Sequence, residues 1–229
     1  GYYSDRLAQL VEFASKRMSE IKKVECVNWD ELRSYKGDID WIVACYTETS
    51  RGLLIPIDLL KDSANALGAK LMLDATASIG LEDGHDKADV IGFSSCKGLF
   101  GLTGACFIAY NSRAENNVDS FYLDIKTHEN HMMTGPYHSI CSLSRVLPIH
   151  EKIKESVKRN KELFMEKYRN YLTLPLENQP LLCTHISKLL KTKDKRVVLY
   201  SNRAAAKGSI TCHLGEAHLK THAKAEILN

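Results

Sequence analysis

Apolar residues recur every three or four positions near the start of the chain. Leu7, Leu10, Val11 and Ala14 follow this spacing, which is the period of one face of an α-helix. We therefore predict a first helix from residue 3 to about residue 21. Residues 56–67 have the same spacing, with a proline where the first turn of a helix tolerates it, and predict a second helix.

Short apolar runs lie on both sides of that second helix and beyond it. They cover residues 41–46, 70–74, 89–93 and 105–110. Near-continuous apolar runs of this length suit the strands of a largely parallel sheet that is covered on both faces. In open sheets of that kind, ligands bind beyond the carboxyl ends of the strands. The pattern predicts an α/β domain whose site lies at that end.

The pattern changes after Pro136. Residues 138–149 are amphipathic, residues 152–171 predict a charged helix, and short strands follow at residues 197–200 and 209–213. We interpret this part as a smaller α+β domain packed on the first. The predicted division is a large domain over residues 1–150 and a small one over residues 151–229.

Composition and charge are those of an ordinary globular protein. The 229 residues carry a net charge of +3 and are 44% hydrophobic. The densest basic stretches, residues 152–167 and 188–196, are typical of solvated helix faces and loops, so we expect no nucleic-acid partner. No apolar stretch approaches the roughly 18 residues of a membrane span, and no signal peptide is visible. We expect a cytoplasmic protein with no membrane partner.

The cysteines and histidines show no metal-binding or disulfide pattern. Seven cysteines lack CxxC pairs and regular spacing, which predicts reduced, buried thiols. Four histidines are irregularly spaced, and we expect no metal site. The cysteines are Cys26, Cys45, Cys96, Cys106, Cys141, Cys183 and Cys212. The four histidines, out of nine in the sequence, are His85, His128, His131 and His138.

Two chemically useful residues follow neighbouring apolar runs. Asp74 ends the run at residues 70–74, and Lys97 comes shortly after the run at residues 89–93. Pyridoxal phosphate needs a lysine for covalent attachment, a carboxylate for its pyridine nitrogen, and donors for its phosphate. On spacing alone, a surface lysine in a Gly-rich turn and an aspartate capping a strand are the favoured interpretations.

Several ordered segments resemble one enzyme family. The runs LDATASIG at residues 73–80 and ADVIGFSSCKGLFGLTG at residues 88–104 are similar to the core of class V aminotransferases of fold type I. Residues 46–57, 1–7 and 133–139 also resemble that family, as does, more weakly, the region 209–218. Within the family, the nearest resemblance is to 2-aminoethylphosphonate–pyruvate aminotransferases. It implies a fold-type-I, mostly parallel large domain and a smaller C-terminal α+β domain.

The resemblance implies a role for each residue around the coenzyme ring. Lys97 would hold pyridoxal phosphate covalently and move the proton between the substrate carbon and C4′ of the coenzyme. Asp74 would pair with the pyridine nitrogen, and Thr49, or Ser50 beside it, would hydrogen-bond the phenolic oxygen. Thr76 corresponds to a position against the ring.

The resemblance also implies how the phosphate is held. Ser95 stands where the family often supplies a phosphate donor. Thr134 aligns with a threonine that reaches the phosphate of the neighbouring subunit's coenzyme. The expected active site is therefore shared by the two subunits of a homodimer.

Two parts of the family pattern are missing from these residues. Family members carry several dozen residues before the position where this sequence starts, including a Gly/Ser/Thr-rich turn whose N–H groups hold the phosphate. We therefore expect the N-terminal segment of the large domain to be absent from this chain. Residues 208–216 also lack the arginine that, in the family, binds the substrate carboxylate through two hydrogen bonds. Arg203 is the nearest candidate for that role.

The expected activity is transfer of an amino group from an aminophosphonate, such as 2-aminoethylphosphonate, or a similar small amine, to pyruvate or another 2-oxo acid. One alternative is a pyridoxal-phosphate lyase such as a cysteine desulfurase, which needs a reactive cysteine near the ring. Cys183 and Cys212 are in the right half of the chain, but their apolar neighbours predict burial. Another alternative is a truncated, non-catalytic subunit that keeps the fold.

Overall fold

A four-stranded sheet organises the computed structural model, which describes residues 1–112, 122–132, 134–191 and 207–215. The helices in these residues are α1 (Tyr2–Ser15), α2 (Ile57–Leu67), α3 (Ile125–His131), α4 (Tyr137–Val146) and α5 (His150–Tyr168). The strands are β1 (Trp41–Cys45), β2 (Thr47–Glu48), β3 (Leu53–Leu54), β4 (Lys70–Asp74), β5 (Val90–Ser94), β6 (Cys106–Tyr110), β7 (Cys183–Ile186) and β8 (Ser209–Cys212).

The central sheet has the strand order β1-β4-β5-β6. The first three strands are parallel, and β6 is antiparallel to β5. The predicted α/β fold with a mostly parallel sheet is therefore confirmed. Cys45, Asp74 and Gly92 are register partners across β1, β4 and β5, so the carboxyl ends of these strands meet at one edge of the sheet.

The two faces of this sheet differ in their cover. We call one face the covered face. It carries Ile42, Leu71, Leu73 and Ile91, which pack with residues of α2 in one core cluster. Leu71 and Leu73 are 0% and 1% exposed. The open face comprises the alternate positions of the same strands, and its large apolar side chains Trp41, Met72, Ile108 and Tyr110 are 37–52% exposed. We expected both faces to be covered; within the described residues only one is.

Most predicted elements of the first 110 residues are present. Helix α2 begins one residue later than predicted and ends where Gly68 takes the left-handed conformation (φ 66°). Strand β4 has the predicted bounds, β1 and β6 differ by one residue at one end, and β5 is shifted by one residue at both ends. Helix α1 ends at residue 15, six residues before the predicted end, and none of its residues is buried. Packing therefore does not extend it further, since most helical stability in proteins comes from a buried face.

Short elements without a clear period were missed. The β2–β3 hairpin follows β1 directly, pairing Thr47 with Leu54 and Glu48 with Leu53. Strand β7 and helix α3 were also not predicted. Two-residue strands and seven-residue helices contain too few positions for a period to show.

The C-terminal part packs against the turn that follows β4. Strands β7 and β8 form an antiparallel hairpin, and Leu182 and Cys183 join Ala77 and Leu81 in a second core cluster. Strand β8 confirms the predicted strand at residues 209–213 within one residue. The predicted strand at residues 197–200 lies outside the described residues. Helix α5 begins at His150, and the division into domains near that residue stays a prediction.

Candidate active site

Asp74 and Lys97 lie at the carboxyl ends of adjacent parallel strands. Asp74 is the last residue of β4, and Lys97 follows β5 after two residues. The backbone N–H of Thr76 donates to Oδ1 of Asp74 at 2.9 Å. Within the described residues, Oδ2 of Asp74 receives no hydrogen bond, so one carboxylate oxygen remains for a ligand.

The side chain of Lys97 points to an aromatic ring from the start of the chain. Its Nζ lies 4.9 Å from the ring centroid of Tyr3, within the range of a cation–π interaction. Lys97 forms no ion pair with a carboxylate of the described residues. Its amine therefore contacts a ring rather than a charged partner. A competing ligand can displace a ring contact at a lower free-energy cost than an ion pair.

The charges of Asp74 and Lys97 both affect the pKa of the Cys45 thiol. Burial raises the pKa of Cys45, the negative charge of Asp74 raises it further, and the positive charge of Lys97 lowers it. Cys45 is the register partner of Asp74, so the charges of both residues act on one buried thiol at the carboxyl edge of the sheet.

A buried carboxylate organises the turn that holds Thr49 and Ser50. Glu48 is 1% exposed, and its Oε1 accepts hydrogen bonds from Oγ and N of Ser50 at 2.6 and 3.1 Å. Its Oε2 accepts from N and Oγ of Ser4, both at 2.7 Å. Burial alone would raise the pKa of Glu48, but these hydrogen bonds outweigh it and hold the pKa below its ordinary value.

This arrangement separates Thr49 from Ser50. The hydroxyl of Ser50 donates to Glu48 and accepts from the backbone N–H of Tyr2 at 2.9 Å, so its hydrogen-bonding capacity is used within the protein. The half-buried Thr49 hydroxyl bonds no described residue. Of the two candidates for the phenolic oxygen of the coenzyme, Thr49 is the one with a hydroxyl available.

Ser95 is engaged with backbone in the same way. It is 0% exposed, and its Oγ donates to the carbonyl of Leu102 at 2.6 Å and accepts from the N–H of Ala105 at 3.2 Å. These bonds close the loop between β5 and β6. In this structure Ser95 shapes the loop that carries Lys97, and its role as a phosphate donor stays a prediction.

The remaining predicted site residues are placed less centrally. Thr76 is half-buried, two residues past Asp74. Thr134 is exposed, just before α4. Arg203 lies outside the described residues. Tyr3 was not assigned a role from the sequence, although residues 1–7 carry part of the family resemblance; nothing in their local pattern shows that α1 begins beside Lys97.

Part of this chain is similar in sequence to known proteins. No family model matches the chain. The 2-aminoethylphosphonate–pyruvate transaminase of Pseudomonas aeruginosa is 25% identical over 171 residues, covering 66% of this chain and 46% of that protein. The same enzyme of Pseudomonas fluorescens is 24% identical over 166 residues, 64% of this chain and 45% of that protein.

Solved structures give the same result at the level of the fold. Pyridoxamine–pyruvate aminotransferase of Mesorhizobium loti superimposes with a TM-score of 0.62 at 20% identity, covering 86% of this chain and 63% of that one. Alanine–glyoxylate aminotransferase of Nostoc gives 0.60 at 20% identity, covering 71% and 50%. The chain has the class V aminotransferase fold. It spans about half the length of the curated relatives it matches.

Class V aminotransferases use pyridoxal phosphate, and the described residues fit its ring end. The open Oδ2 of Asp74 suits a protonated pyridine nitrogen, and Lys97 offers an amine without a carboxylate partner. At the phosphate end, the Ser95 hydroxyl is already satisfied by backbone. The chemistry of Asp74 and Lys97 therefore fits the ring end of the coenzyme, whereas the Ser95 hydroxyl is not available to its phosphate.

The cysteines only partly match their predicted burial. All seven are free thiols; Cys45 and Cys183 are buried, and Cys96 is half-buried. Burial raises the pKa of Cys183, so it is a poor nucleophile. The prediction was wrong for Cys212, which is exposed at the last position of β8, and for Cys26, Cys106 and Cys141, which are also exposed.

The described residues contain neither a metal-binding cluster nor a membrane-spanning helix. No group of three His, Cys, Asp or Glu side chains there is arranged to hold a metal ion. None of the described helices has the length and apolar character needed to cross a membrane.

Proposed function

We propose that this chain is the lysine-bearing part of a pyridoxal-phosphate-dependent aminotransferase. The observation that carries the proposal is the pairing of Asp74 and Lys97 at the ends of adjacent parallel strands. Asp74 keeps an oxygen open, and Lys97 keeps its amine free of carboxylates among the described residues. A lysine and a carboxylate placed in this way are the two groups that the coenzyme ring requires.

Each residue then has a chemical task. The bound coenzyme supplies an electron sink for the substrate carbon. Asp74 would accept a hydrogen bond from the pyridine N–H and keep that nitrogen protonated. Thr49 would donate to the phenolic oxygen, and Thr76 would lie against the ring. Lys97 would give its amine to the covalent linkage and, as a free amine, would move a proton at the substrate carbon.

The proposed substrates are an aminophosphonate, such as 2-aminoethylphosphonate, and pyruvate or another 2-oxo acid. The support is the match to 2-aminoethylphosphonate–pyruvate transaminases, at 24–25% identity. Arg203 remains the candidate for the carboxylate of the 2-oxo acid. We also propose a cytoplasmic homodimer in which Thr134 reaches the partner's coenzyme phosphate, supported by the exposure of Thr134 and of its neighbour Tyr137.

The test is coenzyme capture by the purified protein. Added pyridoxal phosphate should produce the visible absorbance of a lysine-bound coenzyme, and borohydride should trap it on the Lys97 peptide. The Lys97→Ala variant should lose both signals. Lys87→Ala is a matched control, because Lys87 lies in a similar short turn at the other end of β5 and pairs with Asp58; it should retain both.

The preferred substrate can be identified from the same visible absorbance. Addition of 2-aminoethylphosphonate should discharge the absorbance faster than equal concentrations of alanine or cysteine, and pyruvate should restore it. Discharge by cysteine with release of sulfide would support the lyase alternative instead. A wild-type protein that captures no coenzyme would support the non-catalytic alternative and overturn the proposal.

A further inference from the structure

The turn that carries Lys97 has an unfavourable backbone conformation. Lys97 and Phe100 both have positive φ angles, 53° and 61°, in the left-handed region that residues with a Cβ disfavour. Such residues persist where surrounding contacts determine the conformation, and they cluster at functional sites. Contacts from other parts of the fold must therefore hold this turn in place.

One of those contacts comes from the first residue of α5. Nε2 of His150 lies 2.8 Å from the carbonyl oxygen of Gly98. Because a carbonyl oxygen only accepts, Nε2 must be the protonated nitrogen that donates. The His150 ring also packs against the ring of Phe100, with centroids 4.9 Å apart. His150 is 8% exposed, so water competes little for this bond.

The opposite side of the turn is closed by backbone. A Cβ added at Gly98 would lie 2.1 Å from the carbonyl oxygen of Ile79. A Cβ added at Gly80 would lie 2.7 Å from Nε2 of His150. The residue after Lys97 is thus held between the backbone of residues 79–80 and the imidazole, with no room for a side chain.

We propose that His150 is a positioning residue for Lys97. Its hydrogen bond to Gly98 and its contact with Phe100 hold the turn in the conformation that directs the Lys97 side chain towards the ring of Tyr3. This inference rests on the proposed function, since it assigns His150 a role in presenting the amine to the coenzyme. Its contacts in this turn are with the Gly98 carbonyl and the Phe100 ring rather than with the Lys97 amine, so it acts through the backbone.

The test compares two substitutions at His150 with a control on the same helix. His150→Phe keeps a ring against Phe100 but removes the donor, whereas the side-chain amide of His150→Gln can still donate to Gly98. Val157→Ala is the control, because Val157 is 0% exposed on α5 and its truncation weakens packing without touching the turn.

The first measurement is the rate at which pyridoxal phosphate is captured on Lys97. A misplaced reacting group costs roughly tenfold to a hundredfold in rate, and we expect a slowing of that order in His150→Phe. His150→Gln should restore most of the rate, and Val157→Ala should match wild type. Equal rates in wild type and His150→Phe, or equal slowing in His150→Phe and Val157→Ala, would overturn the proposal.

The second measurement needs no coenzyme. The N–H of Phe100 donates to the carbonyl of Lys97 at 2.9 Å, and the N–H of Gly101 donates to the carbonyl of Ser95 at 3.0 Å. Hydrogen exchange of both amides should accelerate in His150→Phe and not in Val157→Ala. Unchanged exchange would count against positioning. If His150→Phe does not fold, His150→Leu, which also lacks a side-chain donor, replaces it in both measurements, with the same expected and contradicting results.

The outcomes separate this inference from the proposed function. If the wild-type protein fails to capture coenzyme, the proposed function fails, while hydrogen exchange still decides whether His150 holds the turn. If capture depends on Lys97 but not on His150, the proposed function stands and the positioning role is wrong.

Discussion

The covered and open faces of the central sheet are built from the same strands, but among the described residues only the covered face packs against α2 in a core cluster. On the covered face, Leu71 and Leu73 pack with α2 in a continuous apolar core. On the open face, Met72 and Ile108 are exposed, and the strands lead to Asp74. The candidate site thus lies where packing ends. One face supplies stability, and the other leaves its carboxyl edge accessible to a ligand.

Helix α1 illustrates the difference further. None of its residues is buried, and none belongs to the core cluster on the covered face. It is joined to the β2 strand by the hydrogen bonds of Glu48 and Ser50 instead. The element that brings Tyr3 to Lys97 is therefore attached by polar bonds around one buried carboxylate, and the site depends on that attachment.

The largest effect should come from truncating the covered face. Leu71→Ala should lower the free energy of unfolding by about 2–5 kcal/mol, because it leaves a cavity in the core. Met72→Ala, one residue along the same strand, should cost less than about 1 kcal/mol, because its side chain is already partly solvated. Urea unfolding of both variants gives the comparison. Equal losses would contradict the difference between the two faces.

A smaller effect is expected at the polar attachment of α1. Glu48→Gln should cost about 1–3 kcal/mol at neutral pH, since it removes a buried charged acceptor. The pKa of Glu48 is lowered in the folded protein, so its contribution is present above the ordinary carboxyl pKa and is lost as the pH falls through the folded value. The difference from wild type, measured by urea unfolding, should therefore shrink on acidification.

Glu12→Gln is the control for this experiment, because Glu12 is exposed on the same helix. Its unfolding free energy should stay close to that of wild type at every pH. A gap between wild type and Glu48→Gln that is constant with pH would show that the ionisation of Glu48 is not what attaches α1.

The smallest expected difference concerns two thiols on the same side of the sheet. Cys45 ends β1 and is buried, whereas Cys106 begins β6 and is exposed. Burial, together with the charge of Asp74, raises the pKa of Cys45. Its alkylation at neutral pH should be slower than that of Cys106 by roughly tenfold or more. Mass spectrometry of iodoacetamide-treated protein measures this, and equal labelling would mean that the Asp74 edge is open as far as β1.

The main elements of the fold could be predicted from the sequence, because each depends on a local period. Strands β1, β4, β5 and β6 and helix α2 follow from runs of five to eleven residues whose spacing is visible without any partner. The residues Asp74 and Lys97 follow from the same runs, since they stand at strand ends. What such patterns do not contain is the identity of a contact made across many residues.

The chain by itself therefore determined where the strands of the central sheet are and that Asp74 and Lys97 lie at or just past their ends, but only the tertiary structure decided which side chains remain available. Ser50 and Ser95 have the right chemistry for a coenzyme, yet their hydroxyls bond to Glu48 and to the loop before β6. His150 lies 52 positions from Gly98, and only folding brings them together. The reason is physical: a period reflects local geometry, whereas a hydrogen bond is decided by which groups the whole fold brings within about 3 Å.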